Sequence, residues 1–160
     1  MIGKKSRFAA EVGECSEGCP QLRRVDLWAG DRWLTCDDNI AFTPQFRADV
    51  RRTLNWLLSE PNLSTPFTGM ALDETHRRLA ASGEGWADFA FPNWGPTTDN
   101  VLGYLFREGE NFTMTFEYEP QRGQKNRPWY SRGSPSMRGI TTVELHSITA
   151  SQTMREASWI

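Results

Sequence analysis

Cys15-x-x-x-Cys19 is the closest pair of cysteines in the sequence, and Cys36, His76 and His146 are the ligands that would complete a zinc shell around it. The set is scattered, with no second close pair, so free loop thiols are the competing reading. Nucleophilic catalysis would start from Cys36 with one of the two histidines as base. Asp37 and Asp38 follow directly, and two carboxylates beside a thiol raise its pKa when activation requires the opposite. His76 stands among Glu74, Arg77 and Arg78, which places it on a charged, solvated helix face. Carboxylate pairs for acid–base or metal-dependent hydrolysis can be drawn from Asp37, Asp38, Asp73, Glu74, Asp88 and Asp99, but no spacing selects one. The only close glycine pair after a helix, Gly83-Glu84-Gly85, lacks the preceding strand that a phosphate-cradling turn needs. No cofactor and no catalytic residue are therefore expected. A small metal-dependent hydrolase is the least favoured alternative.

Charge is distributed more informatively. Acids dominate from Asp73 to Glu119, where the bases are Arg77, Arg78 and Arg107. Residues 121–138 then carry Arg122, Lys125, Arg127, Arg132 and Arg138 with no acid, interleaved with Trp129 and Tyr130. Such a loop can contact phosphates and stack on bases, so Arg122, Lys125, Arg127, Trp129 and Arg132 are candidate nucleic-acid contacts. A net charge of -2 argues against a globally basic binder, and a solvated loop is the competing reading.

The elements that would position these groups follow from periodicity. Residues 6–12, 22–29 and 32–36 read as strands, the last two paired across Gly30-Asp31. Phe46, Val50, Leu54, Leu57 and Leu58 recur at helical spacing, predicting an amphipathic helix over 44–59 with Thr43 as cap and Pro44 in the first turn. A shorter helix is expected over 71–81, capped by Thr68, with Leu72 and Leu79 inward and Gly83 ending it. Strands return at 86–91, 100–107 and 112–119. In the last, Phe112, Met114, Phe116 and Tyr118 alternate with Thr113, Thr115, Glu117 and Glu119, predicting one buried and one wet face. Residues 108–111 make this pair a hairpin, 140–145 is a closing strand, and 147–160 is a possible third helix. The fold class is α+β: a mostly antiparallel sheet packed against one long amphipathic helix and one or two shorter ones.

At 160 residues the chain has the size of one domain, 1–160, and its seven Trp and nine Phe are a heavy aromatic load. No apolar stretch approaches the about 20 residues of a spanning helix, and the basic start lacks an apolar segment behind it, so the expected location is the cytoplasm. Trp94 sits between Pro92 and Pro96 in a stiff loop. It is either an exposed interface anchor or a plug closing the sheet edge.

Three stretches give the chain a family likeness: Ser6-Arg7-Phe8-Ala9-Ala10-Glu11-Val12; the block from Val25-Asp26-Leu27-Trp28 through Trp33-Leu34-Thr35 to Asp38-Asn39; and Asn93-Trp94-Gly95. Together they resemble small bacterial immunity proteins of polymorphic toxin systems. The resemblance implies a non-catalytic cytoplasmic protein that binds a cognate toxin domain and occludes its active site. It transfers no binding positions, since such interfaces vary with the toxin. From the chain itself the candidate partner-binding residues are Trp94 and Asp99 in the stiff loop, Asp37 and Asp38 after the early strands, and Glu117 and Glu119 on the last hairpin. Acidic groups would complement the basic cleft of a nuclease.

Overall fold

Alternation along one long strand decides how the first sheet sits. In the computed structural model, which describes residues 1–35, 38–59, 61–82, 86–118 and 139–146, strand β3 (Cys19–Ala29) buries Val25, Leu27 and Ala29 and turns Asp26 and Trp28 to its other side. Around it lie β1 (Ile2–Gly3), β2 (Phe8–Ser16), β4 (Arg32–Trp33) and β5 (Ile40–Phe42). Their order is β1-β2-β3-β4, with β5 pairing the beginning of β3, and every pair is antiparallel. The strand expected over 32–36 ends at Trp33, because Leu34 and Thr35 leave the ladder to serve the core. Leu34 N donates to Leu27 O, and Thr35 Oγ1 accepts from Leu27 N at 3.1 Å.

The amphipathic helix appears as α1 (Thr43–Leu58) and buries Phe46 and, in part, Val50 and Leu57. Pro44 occupies its first turn as expected. Thr43 is not its cap: the capping position is Phe42, and the Thr43 hydroxyl donates instead to Gln21 O at 2.9 Å, tying the helix start to β3. The second helix, α2 (Leu72–Ser82), has Leu79 buried and Leu72 half-buried, and Gly83 lies outside the described residues.

A second antiparallel sheet follows, β6 (Val101–Glu108), β7 (Asn111–Tyr118) and β8 (Thr141–His146), in that order. The hairpin expected at 108–111 is present, with Glu108 opposite Asn111 and Gly109 at φ +59°. The strand expected over 86–91 does not form. Trp86–Asp88 is a 3-10 turn, and only Ala90 makes a bridge, to Tyr104.

The two sheets face each other. Val25, Leu27 and Ala29 meet Leu105, Met114, Phe116, Val143 and Leu145 in one apolar core that α1 closes with Phe46. The face of the second sheet expected to be wet is covered. Thr115 is fully buried there, and Tyr104 and Phe106 form with Leu79 a smaller cluster beneath α2. Layers therefore run from the first sheet through the core and the second sheet to α2. No described helix is long and apolar enough to cross a membrane.

A candidate partner-binding face

The outer side of the first sheet is built by the residues that strand alternation turns away from the core. Register pairs Trp28 with Trp33, Arg24 with Ile40, and Leu22 with Phe42, so all six share that side. A two-residue turn, Gly30 at φ +56° and Asp31 at φ +60°, brings Trp33 back beside Trp28. Left-handed backbone at both positions suits the right-handed strand twist, and aspartate is among the few residues besides glycine that tolerate it. Gly30 is needed for space as well, since a Cβ there would stand 2.6 Å from Val143 Cγ2.

Asp26 is the polar hub of this face. Its Oδ1 accepts from Trp33 Nε1 at 3.1 Å and from Asn39 Nδ2 at 2.8 Å, while Oδ2 lies 3.3 Å from Arg24 Nε. With three donors converging on it, the carboxylate is fixed in place and acts as a scaffold. The indoles of Trp28 and Trp33 stack with centroids 5.9 Å apart, and Lys5 Nζ lies 3.7 Å above the Trp28 ring. The Tyr118 hydroxyl donates to Trp33 O at 2.9 Å, joining the second sheet to the same edge. Trp33, Ile40 and Phe42 are 38%, 42% and 48% exposed, so a line of large apolar side chains runs along the β4–β5 edge, open to water. Removing the hub with Asp26→Ala leaves the Trp33 and Asn39 donors without their acceptor. It is expected to cost about 1–3 kcal/mol in urea unfolding and to reduce the near-ultraviolet circular dichroism of the stacked indoles.

Of the residues singled out from sequence, Asp38 falls at this face. It is exposed, and its Oδ1 accepts from Ile40 N at 3.0 Å, shaping the entry to β5. Asp99 is exposed, one residue before the buried Asn100, whose Nδ2 donates to Leu34 O. Glu117 points the other way, under α2. Trp94 is a plug rather than an exposed anchor. It is only 5% exposed, meets Phe8, Phe46 and Phe91 edge-on with centroids 5.7–5.9 Å away, and donates from Nε1 to Thr53 Oγ1 at 2.9 Å. Asp37, Glu119, Arg122, Lys125, Arg127, Trp129 and Arg132 lie outside the described residues, as does Cys36.

Among the described residues the candidate chemistry does not assemble. Cys15 is exposed, with Arg23 Nη2 at 3.2 Å from its Sγ, and Cys19 follows on β3. His76, expected on a solvated helix face, is fully buried between α2 and the second sheet. Among the described residues no three His, Cys, Asp or Glu side chains converge as a metal site.

Sequence reasoning passed over Asp26, Trp28, Trp33, Ile40 and Phe42 as binding residues. The signal was there in Val25-Asp26-Leu27-Trp28-Ala29, whose alternation sends a carboxylate and an indole to the side opposite the aliphatic residues.

No family pattern matches the sequence, and no characterised protein matches it by sequence. The fold does have a counterpart. The chain is similar to the crystal structure of CdiI from Burkholderia dolosa AUO158, at 12% identity and a TM-score of 0.57, over 98% of this chain and 96% of that one. CdiI is a contact-dependent growth inhibition immunity protein, and what the two chains share at this identity is the α+β fold.

Proposed function

We propose that this chain is a cytoplasmic immunity protein that binds a cognate bacterial toxin domain and blocks its active site without catalysis of its own. The observation that carries this reading is the open aromatic side of the first sheet, on a fold shared over nearly its whole length with CdiI. A contiguous exposed apolar line with a polar, hydrogen-bonded hub is what a protein interface requires. Trp33 supplies a large, rigid side chain whose polar end is already satisfied by Asp26, so burying it strands no donor. Ile40 and Phe42 extend the contact, and the acid Asp38 stands at its border, where charge speeds and orients docking.

The test uses the toxic domain encoded beside this chain's gene. Co-expression should restore growth to cells making that domain, and the two proteins should co-purify in equal amounts. A folded toxic domain that neither binds this chain nor is held in check by it would contradict the proposal.

A further inference from the structure

The polar centre beneath α2 is not used by the partner-binding face, and its geometry is unusual for a buried interface. The His76 side chain is 0% exposed. Its Nδ1 lies 2.9 Å from Thr115 Oγ1, and its ring stands edge-on to Tyr104 at 4.8 Å between centroids. Among the described residues Nε2 has no hydrogen-bond partner, with Glu117 Oε1 3.6 Å away, and the neighbouring buried Thr75 Oγ1 has none either. Among the described residues, apolar contact around this centre comes from the small cluster of Leu79, Tyr104 and Phe106 with Phe67, Leu72, Phe89 and Leu102 at its margin. An α-helix held by so few apolar groups around an incompletely satisfied polar centre belongs to the low-stability end of a structure.

We propose that α2 is an acid-releasable clamp on the outer face of the second sheet, opened when His76 takes up a proton while the core between the sheets stays folded. A protonated ring would place a full charge where no water reaches. The groups facing it are Glu117 and Thr115 on β7, Tyr104 on β6, Thr142 and Glu144 on the same side of β8, Asp88 in the 3-10 turn, and Asp73, Glu74, Arg77 and Arg78 on α2 itself. Glu144, Asp88 and Glu74 are exposed, and Arg77 pairs with Asp73 and Glu74, so among the described residues Glu117 is the carboxylate close enough to compensate. Burial nevertheless wins: it holds the His76 ionisation below its ordinary value of 6.5, against the pull of Glu117. A base whose folded pKa is lowered favours the neutral form in the clamped state. Clamping is therefore complete above about pH 6.5 and weakens as pH falls below it, by up to tenfold in the opening constant per pH unit until the folded pKa is reached.

Hydrogen exchange of the full-length protein tests this, read at pH 7.5 and pH 5.0 and corrected for intrinsic rates. Protection in α2 should fall at pH 5.0, by up to about 30-fold, while β3 and β6 keep theirs. In His76→Gln the α2 protection should no longer depend on pH, and in Glu117→Gln, which removes the charge that favours the protonated ring in the clamped state, the loss should begin at the same pH but run to lower pH and become larger than in the unaltered chain. Equal α2 protection at the two pH values, or an unchanged pH response in His76→Gln, would overturn the proposal. If His76→Gln does not fold, magnetic resonance of the His76 ring in the unaltered protein decides. Titration together with α2 supports the clamp, and a ring that titrates only on global unfolding contradicts it.

Discussion

Trp33→Ala is expected to weaken binding of the toxic domain by at least about 30-fold while leaving the fold intact. The factor corresponds to the roughly 2 kcal/mol that marks a central aromatic anchor. Trp33 is 38% exposed, and apart from its stack on Trp28 and its bond to Asp26 it contributes to none of the apolar clusters, so truncation removes contact area for a partner and little from the core. Ile40→Lys should have a comparable effect by placing a second positive charge opposite Arg24, its register partner, in the middle of the apolar line. Glu74→Ala, on α2 at the opposite side of the layers, is the control and should leave affinity unchanged. Titration calorimetry with circular dichroism of each variant separates lost binding from lost structure.

Trp94→Ala is expected to be the most damaging single truncation for stability, about 3–5 kcal/mol in urea unfolding. Its ring is the common neighbour of Phe8 on β2, Phe46 on α1 and Phe91 before β6, so its removal opens a cavity where three elements meet. The same change leaves Thr53 Oγ1 without the indole donor. A domain of this size has only about 5–15 kcal/mol of stability in total, so the variant should melt well below the unaltered chain. Trp94→Phe, which keeps part of the ring contact but loses the bond to Thr53, should fall between the two.

Local pattern carried most of the fold. Helical spacing from Phe46 to Leu58 gave α1 nearly to the residue, and the alternation of Phe112, Met114, Phe116 and Tyr118 gave β7 and its inward face. What failed was whatever depends on the opposite side of an element. Thr115 and His76 read as solvent-facing because their neighbours in sequence are polar, yet each covers the other in space: α2 folds onto the second sheet and buries both. Nothing in a period-two pattern reports that a helix distant in sequence will lie on its polar face. Thr43 failed similarly, since a hydroxyl that suits a helix cap was taken by Gln21 O, a partner reached only once β5 pairs with β3.

The candidate face is only partly legible in the sequence. Asp38 was picked out for its charge, and it lies at the face. Trp94 was picked out for its stiff loop, and it is buried because Phe8, Phe46 and Phe91 converge there from three separate parts of the chain. Trp33 and Phe42 carried no mark of exposure in the sequence, where a large apolar residue in a strand reads as core. Their exposure arises because no described element covers the outer side of the first sheet.

The most direct test of the central claim is hydrogen exchange of this chain with and without the bound toxic domain, resolved to individual segments. The expected result is new protection concentrated from β3 to β5, residues 22–42, with α2 and the β6–β7 hairpin unchanged. Protection confined to α2 or to the β6–β7 hairpin, with residues 22–42 exchanging as in the free protein, would contradict it.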